Sequence, residues 1–116
     1  MKDLLQELYD IVERRKAERE EGSYTAYLFD AGIDKILKKL GEECSETIIA
    51  AKNLKADEGS APAREALVNE AADLIYHLIV MLSELEVDAE EVDEILRARM
   101  QKTGNLKPVH KSDKDS

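Results

Sequence analysis

A run of nine residues, LIYHLIVML at positions 74–82, is apolar on nearly every side when it is wound as an α-helix. A helix with that property has to be buried on every side. The run is far shorter than the roughly 20 apolar residues that cross a bilayer, so we expect the central helix of a soluble protein with no membrane partner. A chain of 116 residues offers few other helices to cover it. We therefore expect a homodimer, in which a second copy completes the burial.

The spacing of the other apolar residues is also typical of helices. They recur three or four positions apart, which places them on one helical face. Only two prolines and five glycines interrupt the chain. The sequence predicts an all-α fold, a helical hairpin bundle of four to five helices, with one domain at residues 1–104 and a flexible C-terminal tail at residues 105–116. Helices are expected at residues 2–20, 33–53 and 63–85 and after Asp88, with a loop or short helix at residues 23–32.

Two acidic pairs lie on two of the predicted helices. Glu43 and Glu46 are three residues apart on one, and Glu70 and Asp73 are three apart on the next. At 100° per residue, each pair borders the same edge of its apolar stripe. The short connector at residues 54–62 favours an antiparallel hairpin, which brings the four carboxylates together. Such a cluster repels itself unless it holds a hard cation, and oxygen ligands favour Mg²⁺, with Mn²⁺ as a substitute.

The acidic pairs also have a plainer interpretation. The chain has 26 Asp and Glu residues, so pairs three apart arise by chance on solvated helix faces. The neighbouring Glu42 points away from the apolar stripe, and we expect it to lie on the solvent side or to support the ligands from outside. A net charge of −9 argues against nucleic acid as a partner, because such binding needs a cationic surface. A small nucleotide substrate would need the help of a metal ion.

The single cysteine bears on location and chemistry. Cys44 falls within the apolar stripe of its helix, so we expect a core residue and not a nucleophile. One cysteine cannot form an intrachain disulfide, and no apolar signal segment opens the chain. These features predict a cytoplasmic protein.

The motif Glu42-Glu43-x-x-Glu46, followed after 23 residues by Glu70-x-x-Asp73, resembles the signature of the all-α nucleotide pyrophosphatase (MazG-like) superfamily. The surrounding segments resemble one branch, the phosphoribosyl-ATP pyrophosphatases of histidine biosynthesis. The resemblance covers about residues 5–104 and departs at none of the four acidic positions. The segments are SYT at 23–25, GIDK at 32–35, KLGEE at 39–43, AAKN at 50–53 and EAADLIYH at 70–77.

The resemblance implies a reaction and an assembly. The reaction is hydrolysis of the bond between the α and β phosphates of phosphoribosyl-ATP, giving phosphoribosyl-AMP and pyrophosphate, with Mg²⁺ required. The assembly is a homodimer built from helical hairpins. Metal binding and catalysis would then rest on the same residues, with water attacking phosphorus. These residues are Glu43, Glu46, Glu70 and Asp73.

Six further residues are candidates for binding the substrate. His77 lies on the edge shared by Glu70 and Asp73 and would bond a ligand carboxylate or the substrate, although a packed structural histidine is an equal alternative. Lysines on helices are usually solvated, so only the resemblance favours a phosphate contact for them. Packing explains the aromatic residues near position 24 equally well. The candidates are Tyr24, Thr25, Lys39, Lys52, Asn53 and His77.

Two other functions are compatible with the sequence. A MazG-like house-cleaning enzyme would hydrolyse ordinary or damaged nucleoside triphosphates with the same four acids, so the metal motif does not separate the two activities. The segments at residues 23–34 and 50–53 favour the histidine branch. The third function is that of a non-catalytic helical dimer that binds Ca²⁺ or Mg²⁺, or docks a partner through its apolar helix.

Overall fold

The computed structural model describes residues 3–102, 107 and 111–114, and each regular element among them is an α-helix. The predicted all-α class is confirmed, with five helices within residues 3–102. The tail expected over residues 105–116 and the domain boundary at residue 104 fall largely outside the described residues and stay predictions. The bounds are α1 Leu4–Glu18, α2 Tyr24–Ala31, α3 Ile33–Ala56, α4 Ala61–Glu84, α5 Ala89–Gln101 and α6 Lys111–Lys114.

Side-chain caps fix where several helices begin, because they satisfy backbone N–H groups that have no partner within the helix. The Ser60 side chain accepts a hydrogen bond from the Ala63 N–H at 3.4 Å, and Pro62 occupies the first turn of α4. A capping box opens α5, where the Asp88 N–H donates to the Glu91 side chain at 3.1 Å. These local signals explain why the predicted helix starts lie close to the observed ones.

Of the two alternatives expected for residues 23–32, the structure has the short helix, α2, at Tyr24–Ala31. Ser23 caps it by accepting a hydrogen bond from the Ala26 N–H at 3.1 Å. Gly32 separates α2 from α3 with a φ of 96°, a left-handed backbone conformation that favours glycine. The chain turns at this glycine, and α2 packs against α4, where the Tyr24 hydroxyl is 2.9 Å from His77.

The α3–α4 hairpin makes the most extensive contact in the described chain. Thr47, nine residues before the end of α3, is hydrogen-bonded to Glu70, nine residues after the start of α4, so the two helices are antiparallel as predicted. The hydrophobic core lies among α1, α2, α4 and the first residues of α3 and α5. Its buried members are Tyr9, Val12, Leu28, Phe29, Ile36, Ile79, Val80 and Ala89.

Burial of the apolar run at residues 74–82 is incomplete within one chain. Ile75 and Leu78 remain 43% and 40% exposed. The core position expected for Cys44 is wrong for the single chain, since Cys44 is exposed; the apolar stripe of α3 is wider than the surface that its neighbours cover. By length and composition, α4 would be able to cross a membrane, and 22% of its most apolar stretch of 18 residues is buried inside the described part of the chain.

Candidate functional site

Three of the four predicted metal ligands converge between α3 and α4. One carboxylate oxygen from each of Glu43, Glu46 and Glu70 lies within 4.8 Å of the other two. Glu43 is 7% exposed, Glu70 is half-buried and Glu46 is exposed. The cluster therefore reaches from the helix interface to solvent.

Asp73, the fourth predicted ligand, is not among the residues whose oxygens converge. It is exposed and lies one helical turn beyond Glu70. Burial is the main cause of the raised pKa of the Glu43 carboxyl, and the charge of Asp73 adds to it, so the two groups are close enough to interact. The structure places three carboxylates together with a fourth nearby.

The packing of these acids opposes their full ionisation. A hydrogen bond shared with Glu46, followed by burial and a bond shared with Glu43, raises the pKa of Glu70 to about 7. The pKa of Glu43 is raised by burial and by the charges of Glu46 and Asp73. Without a bound cation, the cluster of acids therefore retains a proton at pH values well above the usual pKa of a carboxyl group.

Two oxygen atoms in the cluster lack a hydrogen-bond partner. The Oε2 atoms of Glu43 and Glu70 are buried, and neither accepts a hydrogen bond within the described part of the chain. Buried polar atoms are nearly always satisfied, so these two need an ion or water to complete them. A donor set made only of carboxylate oxygens fits a hard divalent cation such as Mg²⁺ or Mn²⁺.

Thr47 lies between the acidic pairs and is absent from the sequence-predicted site. Its Oγ1 atom is 2.7 Å from the Glu43 carbonyl oxygen and 3.3 Å from the Glu70 carbonyl oxygen. Because a carbonyl only accepts and a hydroxyl carries one hydrogen, the Thr47 hydroxyl shares that hydrogen between the two carbonyl oxygens. The sequence feature that would have pointed to Thr47 is its hydroxyl-bearing side chain within the apolar stripe of α3, one residue after Glu46.

His77 is buried and held by two hydrogen bonds. Its Nδ1 atom is 2.7 Å from the Asp73 carbonyl oxygen, and its Nε2 atom is 2.9 Å from the Tyr24 hydroxyl. The carbonyl only accepts, so Nδ1 carries a proton, and in the neutral ring the Tyr24 hydroxyl donates to Nε2. These bonds favour the structural interpretation of His77, since the bond reaches the Asp73 backbone rather than its carboxylate.

Thr25 and Tyr24 both pack α2 against α4. The Thr25 hydroxyl lies 2.5 Å from the Tyr76 hydroxyl. The rings of Tyr24 and Tyr76 both meet the His77 ring edge-on, with centroid distances of 5.8 and 4.9 Å. Packing against α4 thus explains part of the contacts of Thr25 and Tyr24, while Tyr24 remains 45% exposed. Contact of either residue with substrate stays a prediction.

The polar candidates on α3 lie at two levels along the helix. The Lys39 ammonium is 3.0 Å from a Glu42 carboxylate oxygen, and this ion pair lowers the pKa of Glu42. Glu42 is outside the converging group. Lys52 and Asn53 are exposed and lie roughly 9 and 10.5 Å beyond Glu46 along the helix axis, at 1.5 Å per residue. Their contacts with substrate stay predictions.

Comparison with known proteins gives one consistent result. Residues 5–100 match the protein family described as phosphoribosyl-ATP pyrophosphohydrolase. A relative from Clostridium novyi is 46% identical over 106 residues, which cover 91% of this chain and 89% of the relative. A relative from Streptococcus sanguinis is 48% identical over 103 residues, covering 89% and 91%, and one from Pelotomaculum thermopropionicum is 50% identical over 101 residues, covering 87% and 95%. All three bear the name phosphoribosyl-ATP pyrophosphatase.

Proposed function

The chain belongs to the phosphoribosyl-ATP pyrophosphohydrolase family, and from that premise we propose how its residues carry out the reaction. The enzyme hydrolyses phosphoribosyl-ATP to phosphoribosyl-AMP and pyrophosphate, a step of histidine biosynthesis. Water is added across a phosphoanhydride, so the site has to neutralise several phosphate oxygens. A chain with a net charge of −9 needs a cation for that task.

We propose that Glu43, Glu46 and Glu70 hold Mg²⁺, with Asp73 as the fourth carboxylate of the site. The observation that carries this proposal is the pair of buried, unpaired oxygens on Glu43 and Glu70 inside a group of three carboxylates. Repulsion between two such charges 4 Å apart is about 4 kcal/mol at the effective dielectric near a protein surface, and a dication relieves it. Mn²⁺ is expected to substitute because it also prefers oxygen ligands.

When bound, Mg²⁺ neutralises phosphate oxygens and lowers the pKa of water. The chain contributes the carboxylates at fixed positions and the polar groups around them. Lys39 is paired with Glu42 at the surface, where such pairs contribute about 0–1 kcal/mol, so its ammonium can turn toward a phosphate at little cost. Lys52 and Asn53 extend the polar surface of α3 toward the rest of the substrate.

The reaction on this proposal needs no covalent enzyme intermediate. Water forms a bond to one of the two phosphorus atoms of the α–β bridge as the bond from that phosphorus to the bridging oxygen breaks, and phosphoribosyl-AMP and pyrophosphate leave without any enzyme side chain bonding to phosphorus. His77 bonds the backbone carbonyl of Asp73 and the Tyr24 hydroxyl. It therefore positions these two residues and does not itself contact the substrate. The exposed part of Tyr24, and Thr25 beside it, border the substrate.

We also propose that the enzyme is a cytoplasmic homodimer. Many large apolar side chains remain exposed on the hairpin and on α5, and exposed apolar surface of this extent is typical of an interface. A second copy covering α4 accounts for the apolar character of that helix without a membrane, since the same helix carries Glu70 and Asp73. The exposed residues include Leu37, Ile48, Ile49, Val68, Ile75, Leu78, Ile95 and Leu96. Light scattering should give twice the chain mass, and a monomer mass would contradict the proposal.

The test of the activity is pyrophosphate release from phosphoribosyl-ATP and from a panel of ordinary nucleoside triphosphates, with Mg²⁺ and with a chelator. We expect release from phosphoribosyl-ATP that is lost in chelator and restored by Mg²⁺ or Mn²⁺. Preferred turnover of the ordinary triphosphates would instead identify a house-cleaning pyrophosphatase. Cation binding without turnover of any substrate would indicate a non-catalytic metal-binding dimer.

A further inference from the structure

We propose that Thr47 is a positioning residue that sets the distance between the acidic pair on α3 and Glu70 on α4. The inference rests on the proposed function of the cluster as a metal site. Thr47 holds no ligand atom for the metal. Its role is to keep the backbones that carry two of the ligands at a fixed separation.

The geometry of the hydroxyl singles out this residue. A threonine within a helix commonly donates to the carbonyl four residues earlier, and the 2.7 Å bond to Glu43 is of that kind. The second acceptor is different, because the Glu70 carbonyl, at 3.3 Å, belongs to the other helix. One half-buried hydroxyl therefore joins the backbones of Glu43 and Glu70, whose side chains carry the two buried, unpaired oxygens.

The cluster itself explains why such a link is needed. Three carboxylates within 4.8 Å of one another repel, and the hairpin relieves that repulsion if α4 slides or rotates against α3. Apolar contacts oppose such a movement weakly, because the hydrophobic effect is not directional. A hydrogen bond is directional and weakens steeply when it is stretched or bent. Since Mg²⁺ demands near-ideal octahedral geometry, a small displacement of Glu70 weakens metal binding.

The test compares two substitutions that differ in one chemical group. Thr47→Val keeps the branched shape and removes the hydroxyl, whereas Thr47→Ser keeps the hydroxyl. Two quantities are measured on the full-length protein: the affinity for Mn²⁺ without substrate, from the paramagnetic resonance signal of free Mn²⁺, and the Mg²⁺ concentration that gives half-maximal pyrophosphate release. We expect Thr47→Val to weaken both by about tenfold, the lower end of the range for residues that support metal ligands, and Thr47→Ser to stay close to wild type.

A matched control separates positioning from general loss of stability. Ser83 is fully buried, and its hydroxyl joins α4 to Glu13 on α1 at 2.6 Å. Ser83→Ala should lower the melting temperature while leaving Mn²⁺ affinity unchanged. If Thr47→Val does not fold, Thr47→Ala provides a second variant without the hydroxyl and is judged by the same two measurements.

Each outcome decides the proposal. A folded variant without the Thr47 hydroxyl that has wild-type Mn²⁺ affinity and Mg²⁺ requirement would overturn it. Equal losses in Thr47→Ser, or in Ser83→Ala, would also overturn it, because they would show an effect of packing or stability. A wild-type protein that neither binds Mn²⁺ nor hydrolyses phosphoribosyl-ATP would refute the proposed metal site itself, and that result is distinguishable from a failure of the role of Thr47 alone.

Discussion

Two helix–helix contacts within the described residues, α1–α4 and α3–α4, hold partly buried carboxylates, and of these two contacts the first satisfies its carboxylate while the second does not. Between α1 and α4, Glu13 accepts a hydrogen bond from the Ser83 hydroxyl at 2.6 Å and pairs with Lys16 at 3.0 Å. Between α3 and α4, Glu43 and Glu70 each retain a buried oxygen without a partner in the described structure. The first contact is complete within the chain, and the second becomes complete with a ligand.

The same contrast appears in the pKa values. Burial acts to raise the pKa of Glu13, but hydrogen bonds from Ser83 and Lys16 outweigh it and lower the pKa. Burial raises the pKa of Glu43, and bonds shared with other acids contribute to the pKa of about 7 for Glu70. Burial acts in the same direction on Glu13 and Glu43. The identity of the partners, rather than burial, separates a structural carboxylate from a ligand-binding one in this fold.

The largest expected effect comes from removing an acid from the unsatisfied contact. Glu43→Gln should lower the rate of pyrophosphate release by at least about a hundredfold, because a neutral amide is a much weaker ligand than a carboxylate. The same change should leave the melting temperature in chelator equal or higher, since it relieves repulsion. Glu65→Gln, an exposed position on α4, is the matched control. A near-normal rate for Glu43→Gln would remove this residue from the site.

Asp73 tests whether the ligand set contains three or four acids. Because Asp73 lies beside the converging group rather than within it, Asp73→Asn should cost about 10–100-fold in activity, the range for residues next to a metal site. The Mg²⁺ requirement should rise with it. Titration of activity against Mg²⁺ checks both effects. A loss as large as that of Glu43→Gln would place Asp73 among the ligands, and no loss would leave the site with three.

The satisfied contact should respond in stability rather than in rate. Ser83→Ala removes a donor to Glu13 and leaves the carboxylate one hydrogen bond short, which costs about 1–2 kcal/mol for a partly exposed acceptor. Urea unfolding measures this loss, and pyrophosphate release at saturating Mg²⁺ should remain close to wild type. An activity loss without a stability loss would contradict the separation of the two contacts.

The smallest expected effect is a difference in pH dependence. Glu70 has a folded-state pKa of about 7, above the ordinary 4.5, so its contribution to metal-free stability is full below pH 4.5 and is lost as pH rises to 7. Glu13 has a lowered pKa, so its contribution is present above its ordinary value and is lost as pH falls. Thermal melts in chelator should therefore show the loss of stability due to Glu70 as pH rises from 4 to 8. Melts in Mg²⁺ should show this loss reversed. Glu70→Gln should remove this dependence, and an unchanged profile would contradict the assignment.

Local sequence patterns predicted much of the fold. The spacing of apolar residues predicted the observed helices, because this signal depends on residues a few positions apart, and the caps at Ser60 and Asp88 are equally local. The hairpin followed from the short connector between α3 and α4. The predicted burial of Cys44 was wrong, because periodicity identifies an apolar face and does not show how much of that face a neighbour covers.

The sequence by itself determined an all-α hairpin with an acidic pair on each of two antiparallel helices, because helical periodicity and connector length are local properties. Tertiary structure decided which acids meet: three converge, Asp73 lies outside, and the Thr47 hydroxyl bridges the helices. It also decided that Glu13 is satisfied while Glu43 and Glu70 are not. These distinctions depend on the relative rotation and register of packed helices, which place atoms far apart in sequence within hydrogen-bonding distance.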